Sequence, residues 1–321
     1  MEGHTPHLKI SVLMPAYNAA KYIEEAIQGI LSQTYANYEL LICDDASTDS
    51  TLVLASKYDD IRIKIYRNES NKGKPLTVNR LFKYATGEVI TIHDADDISL
   101  PKRFETIIQV FDTTSYKVCG HVIERISENG KTLGLYRPKV SDPNLIKHMM
   151  EFENTDGDPS LFFTREVAES LNGLLLRPYF PNNMDYDMAL RMIDNFSFTN
   201  VLDVLSYYRN VPNSISKGIY SYKKLVTQKM TQFFAEERRE KGKDSLMEKN
   251  YLVIEEMEIE YSKKYIKDKT LYYRQMASFY MYVKMEKQAI QYMLQAVWEE
   301  PLKFKNWHTL IYCLRKILFG I

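Results

Sequence analysis

Apolar runs and amphipathic stretches take turns along the first hundred residues. "KISVLMP" (residues 9–15) has the character of a short strand, stopped by Pro15. The stretch after it, "AAKYIEEAIQGILSQTY", sets Ile23, Ala26, Ile27, Ile30 and Leu31 at helical spacing. "YELLICDD" is again a strand, and "STDSTLVLASKY" opens with small capping residues ahead of its apolar face. "IRIKIYRN" alternates, "KPLTVNRLFKYATG" reads as a helix ending at Gly87, and "EVITIHD" closes the series. Four strands separated by three helices predict parallel pairing through crossover helices, a doubly wound α/β sheet. Ligands of such sheets bind beyond the carboxyl ends of the strands.

Polar and acidic residues gather at those ends. They are Pro15-Ala16-Tyr17-Asn18, then Cys43-Asp44-Asp45, then Arg67-Asn68, then Asp94-Ala95-Asp96-Asp97. The turn after the first strand, "PAYNAAKY", has no glycine-rich phosphate loop, and no Walker-type lysine loop appears. A phosphate-bearing ligand would need its charge neutralised another way. Carboxylates achieve that through a divalent cation, Mg²⁺ or Mn²⁺, whose shell is completed by diphosphate oxygens and water. Three acids within four positions exceed what a helix cap requires, since a cap needs one.

Beyond Pro101 the pattern predicts a helix in "KRFETIIQVF", with Lys102 and Arg103 as a surface pair in its first turn. Two strands follow around Asn129-Gly130, a hairpin signal. Helices are expected in "PNLIKHMMEF", "TREVAESLNGL" and "NNMDYDMALRMIDNF", then a last strand in "VLDVLSYYRN". From Tyr220 onward the texture changes to long charged helices with many tyrosines, which places a domain boundary near Gly218. "EKQAIQYMLQAVWEEP" is similar to the second half of a tetratricopeptide repeat, with one or two such units, too few for a self-standing solenoid.

Charge changes the picture only modestly. The chain carries 42 basic and 42 acidic residues, so global electrostatics give no reason to expect nucleic-acid binding. The tail from residue 221 is net basic, 19 against 13, and the rest net acidic. The helical tail reads as an appendage packed on the catalytic domain or a homodimer element, and its last stretch, the basic, apolar "LIYCLRKILFGI", as an amphipathic helix docked on protein or lying on a membrane surface. Cys43, Cys119 and Cys313 have neither metal-ligand spacing nor an even disulfide set, and read as reduced core residues of a cytoplasmic protein. The start lacks the features of a signal peptide, and no apolar run reaches the ~18 residues of a membrane span.

Several of these blocks resemble nucleotide-sugar-dependent glycosyltransferases of family 2, which have the GT-A fold. The resemblance rests on "SVLMPAYNAAKYIEEAIQGILSQTYANYELLICDDASTDST", with "GEVITIHDADD", "MDYDMALRM" and "YYRNVPNSIS" following in order over residues 8–216. It implies a Rossmann-like, mostly parallel sheet with flanking helices, and a C-terminal all-helical region at 219–321. Within 1–218, residues 8–100 would bind the donor and 101–218 would face the acceptor. Pro15 and Tyr17 would lie against the nucleotide, the tyrosine ring near the base. Asp45 would accept a uracil-type imide N–H, with Asp44 as support. Asp96 would hold the metal, Asp94 the metal or ribose, and Asp97 the loop. Asp185 would be the general base, and Arg209 a residue of the segment that closes over the diphosphate. Implied partners are a UDP-linked sugar donor and a saccharide or lipid-linked glycan acceptor in cell-surface polysaccharide synthesis.

The chain departs from the family in three places. His93 replaces an apolar residue and reads as a hydrogen-bonded structural histidine or a neighbour of the metal. Met184 replaces the acid usual before the base, which leaves Asp187 as a second candidate. No histidine follows Arg209. Lys72 and Lys74 in "SNKGKP" read as a solvated loop rather than phosphate contacts, and Asp156 and Asp158 as a turn or an acceptor contact. Two functional classes compete: an inverting, metal-dependent glycosyltransferase, and an inactive nucleotide-binding module that acts as a scaffold. A nucleotidyltransferase would need a basic phosphate loop that "PAYNAAKY" lacks.

Overall fold

The computed structural model describes residues 8–135, 140–152, 160–180, 183–211 and 222–319, so Asp156 and Asp158 lie outside the described residues. The chain forms two compact units, Met1–Met150 with Asn154–Lys217, and Glu151–Glu153 with Gly218–Ile321.

The first unit is built on one mixed sheet. Strands β1 (Ile10–Ala16), β2 (Tyr38–Asp44), β3 (Ile63–Arg67) and β4 (Val89–Ile92) alternate with helices α1 (Ile23–Leu31), α2 (Thr51–Ala55) and α3 (Lys74–Phe82). They pair with one another in parallel, in the order β3-β2-β1-β4. β1 runs through Pro15 to Ala16 rather than stopping at the proline. Its pairing with β4 ends at Leu13 opposite Ile92, so on that side Pro15 has no ladder to break.

Burial follows the two-residue period. Ile10, Val12, Met14, Leu40 and Ile42 join Ile23, Ala26, Ile27 and Ile30 of α1 in one cluster. Leu13 and Leu41, pointing the other way, are equally buried on the face that α3 covers. Each such side chain contributes about 1.5–3 kcal/mol by leaving water.

The sheet then turns mixed. The two-residue strand β5 (Ile98–Ser99) is followed by α4 (Arg103–Thr113), β6 (Val118–Ser127) and β7 (Thr132–Leu135). β6 and β7 pair antiparallel around Asn129-Gly130, with Gly130 at φ 81. After α5 (Pro143–Met150), β8 (Phe162–Thr164) and α6 (Arg165–Ser170) come α7 (Met184–Ile193) and the long β9 (Phe198–Asn210). β8 runs antiparallel between β4 and β6, β9 parallel to β6, and β5 antiparallel to β9.

β5 is too short to leave a periodic signal in sequence, yet it sets the position of the acidic loop. Ile98 pairs with Tyr207 and Ser99 with Ser206. Gly29 of α1 allows the close approach, because a Cβ there would sit 3.0 Å from both the N and O of Ser99.

The second unit contains α8 (Tyr222–Lys241), α9 (Tyr251–Lys267), α10 (Leu271–Tyr282), α11 (Glu286–Glu299) and α12 (Phe304–Phe319). A polar knot joins its last three helices. Arg274 donates to Asp268, Thr270 and Asn306, while Lys303 bridges Asp268 and Glu300 at 2.7 Å each. Among the described residues no helix is long and apolar enough to cross a membrane.

Candidate active site

Three parallel strands end side by side, and the segments leaving them are tied together by backbone and carboxylate. Ala16 O accepts Asp45 N at 2.8 Å, and Asn68 N reaches Asp44 O at 2.8 Å. Tyr17 follows β1 and stands half exposed, and Pro15 is half-buried. Asp44 and Asp45 are buried. Arg67 Nε lies 3.3 Å from Asp44 Oδ2, an ion pair by distance but too poorly aligned for a hydrogen bond.

Asp45 is more committed than its neighbour. Oδ1 accepts from Asn68 Nδ2 at 2.7 Å and from Lys72 N at 2.8 Å, and Oδ2 accepts from Gly73 N at 2.8 Å. A carboxylate offers about four acceptor positions, so one remains beside Oδ2. Asp45 thereby fixes the turn that begins α3, where Gly73 takes φ 83.

The fourth strand delivers the acids. Among the described residues Asp94, Asp96 and Asp97 form the group able to hold a metal ion, with ligand oxygens within 4.8 Å of one another. Burial and the charge of Asp94 push the Asp96 carboxyl up to about 6. Burial and both neighbouring carboxylates raise Asp97 well above the usual range. Asp97 Oδ2 is buried with no hydrogen-bond partner, while Oδ1 accepts Arg209 N at 2.9 Å. Three carboxylates against the single ammonium of Lys74 leave an excess of negative charge, and hard oxygen donors suit Mg²⁺ or Mn²⁺.

The segment 11–171 matches the family model described as glycosyl transferase family 2, half of the chain. This chain belongs to glycosyl transferase family 2. EpsE of Bacillus subtilis (strain 168) is 37% identical over 142 residues, covering 43% of this chain and 51% of EpsE, so the match spans about half of that relative's length. The UDP-Glc:alpha-D-GlcNAc-diphosphoundecaprenol beta-1,3-glucosyltransferase WfgD of Escherichia coli is 32% identical over 215 residues, 65% of this chain and 80% of WfgD. In fold, the mannosyltransferase PcManGT from Pyrobaculum calidifontis, solved with GDP-Man and Mn2+, superimposes with a TM-score of 0.55. That alignment has 18% identity and covers 98% of this chain and 89% of the other.

Within this family 2 glycosyltransferase, several residues take places that the sequence did not suggest. Arg209, expected on a closing segment, is 4% exposed and lies beneath the acidic loop. It donates through N to Asp97, through Nε to Asp96 O at 3.0 Å, and through its terminal nitrogens to Glu128 O and Glu25. The β5–β9 pairing puts it there. Arg103 is not a surface residue: it is fully buried, with Nη1 2.7 Å from Ser99 Oγ, Nε 3.0 Å from His121 Nε2, and the guanidinium 4.7 Å over Phe162. Burial pushes its pKa down to about 9.

His93 is buried, and among the described residues its Nε2 has no hydrogen-bond partner. Its Nδ1 lies 2.8 Å from Asp94 O, which can only accept, so that nitrogen carries the proton. Burial and the nearby Arg103 charge push it down to about 3, leaving the ring neutral. Lys74 is the residue that sequence undervalued. Its ammonium is not solvated in a loop but sits 2.7 Å from Asp94 Oδ1 and 2.9 Å from Oδ2.

Asp185 opens α7 and is half-buried. Asp187, its rival, is fully buried between Arg177 and Arg191.

Proposed function

We propose that this chain is an inverting, metal-dependent transferase that moves a sugar from a nucleotide sugar, with UDP-linked donors favoured, to a hydroxyl of a saccharide or lipid-linked glycan in cell-surface polysaccharide biosynthesis. The observation that carries this reading is the gathering of Asp94, Asp96 and Asp97 at the carboxyl end of β4, beside the ends of β1 and β2. The transfer for which WfgD is named, from UDP-Glc to a diphosphoundecaprenol-linked sugar, supports the donor and acceptor classes. The Mn2+ of PcManGT supports the cation.

Residues 1–218 are then the catalytic part, with 8–100 on the donor side and 101–218 on the acceptor side. Asp96 and Asp94 would hold Mg²⁺ or Mn²⁺, which when bound would stabilise charge on the departing diphosphate. Pro15 and Tyr17 lie along the nucleoside, and the acceptor position left on Asp45 takes an imide N–H while Asp44 supports it. The Asp185 carboxylate takes the proton of the acceptor hydroxyl as that oxygen attacks the anomeric carbon. The bond from that carbon to the diphosphate breaks on the opposite face, and its electron pair leaves with the diphosphate, so the configuration inverts.

The C-terminal helices hold the enzyme on the inner face of the membrane, next to a lipid-linked acceptor. In support, α12 has Lys305, Arg315 and Lys316 but no acid, and exposes Phe304, Trp307, Ile311 and Leu318. The decisive experiment for the activity is Asp96→Asn assayed with UDP-sugars and Mn²⁺. Loss of about 100-fold or more in transfer and donor hydrolysis is expected, and unchanged rates would refute the proposal.

A further inference from the structure

We propose that Lys74 is a resident counter-ion of the aspartate cluster, which surrenders Asp94 when the divalent cation binds and then pairs with the donor's diphosphate. The inference rests on reading the cluster as the metal and diphosphate site.

Both oxygens of Asp94 lie within hydrogen-bond distance of the Lys74 ammonium, at 2.7 and 2.9 Å. A cation that takes this carboxylate competes with the lysine for the same two oxygens, and a dication and an ammonium on one carboxylate repel each other. The pair is sheltered, with side-chain exposures of 20% and 23%, so it is screened less than a surface contact. The aim of Lys74 is built into the chain. It is the first residue of α3, directly after the turn at Gly73 whose N–H, with that of Lys72, is held by Asp45. The carboxylate proposed to read the base therefore also fixes the lysine over the acids.

Once a divalent charge sits on Asp94, the ammonium is repelled from its former place. The new negative charge close by is the diphosphate that the cation brings, and a lysine ammonium is a compact point charge suited to phosphate oxygens. Arg209 does not compete for this role, because its guanidinium is spent on Asp96 O, Glu128 O and Glu25. Metal and nucleotide then favour each other's binding: the metal frees the lysine for the nucleotide, and the nucleotide keeps the lysine off the metal's ligand.

The test uses the purified full chain and three probes: Mn²⁺ alone followed by electron paramagnetic resonance, uridine diphosphate with saturating Mn²⁺ by calorimetry, and uridine. Lys74→Gln should bind Mn²⁺ alone about three- to tenfold more tightly, and uridine diphosphate with Mn²⁺ more weakly by a similar factor, the equilibrium equivalent of a sheltered ion pair. Uridine affinity should not change. Lys74→Arg, which keeps the charge, should bind Mn²⁺ alone as weakly as the wild type and retain most of the diphosphate affinity. Unchanged or weakened Mn²⁺ binding by Lys74→Gln would overturn the proposal, as would a parallel loss of uridine binding. A wild-type protein that binds neither Mn²⁺ nor uridine diphosphate would instead overturn the donor-site reading, and this inference with it.

Discussion

Asp187 receives a two-pronged ion pair from Arg177, with Nε 2.8 Å from Oδ2, inside the fold and two positions beyond Asp185 on the same helix. Arg191, one turn on, donates to the same carboxylate at 3.0 Å, and its terminal nitrogens hold Leu174 O and Leu175 O. Asp187 is thus a bolt between α7 and the segment before it. Its carboxylate is fully buried and paired with two guanidinium groups, which makes it unfit as a base.

The two aspartates should separate in experiment. Asp187→Ala strands two buried guanidinium groups and should cost about 3–5 kcal/mol of stability, read as a large fall in the urea midpoint. Asp185→Asn should unfold within about 0.5 kcal/mol of the wild type yet lose about 100-fold or more in transfer. If Asp185→Asn retains full turnover, the base lies elsewhere.

Acid should reveal the grip on Glu39. This buried residue of β2 accepts from Ser11 Oγ at 2.7 Å, Thr86 N at 2.6 Å and Thr86 Oγ1 at 2.8 Å, with Lys9 and Lys64 each at 3.2 Å. Burial alone would raise its pKa, but those hydrogen bonds outweigh it and hold the carboxyl at about 2, below the ordinary 4.5. A depressed folded pKa stabilises the protein above about 4.5, and that contribution is lost as pH falls toward 2. The difference is worth at most roughly 3 kcal/mol. Unfolding curves at pH 5 and pH 3 should converge for wild type and Glu39→Gln as the medium becomes more acid. Parallel curves would refute the linkage.

Much of this was legible from residue order alone. The alternation of apolar runs placed β1 to β4 and brought Asp45 and Asp94 to one edge, because parallel sheets collect their strand ends. What escaped notice depends on partners distant in sequence. Arg103 looks like a surface residue because burying a charge is costly, and the groups that offset this cost, His121 and Ser99, come from separate strands. Lys74 finds Asp94 twenty positions away. The displacement of Arg209 from a closing segment to a brace follows from β5, a two-residue strand with no period to detect.

Gly87 should tolerate no side chain. A Cβ there would lie 2.5 Å from Lys9 O and 2.7 Å from Ser11 N, backbone atoms fixed in and beside β1. Its N–H also donates to Ser11 Oγ at 2.8 Å, and its carbonyl accepts from Arg165. Gly87→Ala should therefore cost about 3 kcal/mol and push β4 off β1, weakening Mn²⁺ binding at the loop that β4 delivers. Melting temperature and Mn²⁺ titration together check this, and an unaltered melt would contradict the close approach.

The proposed membrane face can be tested through its charge and its apolar stripe. On α12, Phe304, Trp307, Ile311, Leu314 and Leu318 recur at steps of three and four and are 40–78% exposed, flanking the buried stripe of Asn306, Leu310 and Cys313. A second copy of the helix would bring Lys305, Arg315 and Lys316 against their own kind, whereas an anionic lipid surface attracts each by about 1 kcal/mol. The full chain should sediment with vesicles containing phosphatidylglycerol, not with purely zwitterionic ones, and half-molar salt should release it. Ile311→Glu with Leu318→Glu should abolish sedimentation while leaving donor hydrolysis intact, since both side chains are exposed. A solution dimer dispersed by the same pair of substitutions, without vesicle binding by the wild type, would assign the stripe to self-association instead.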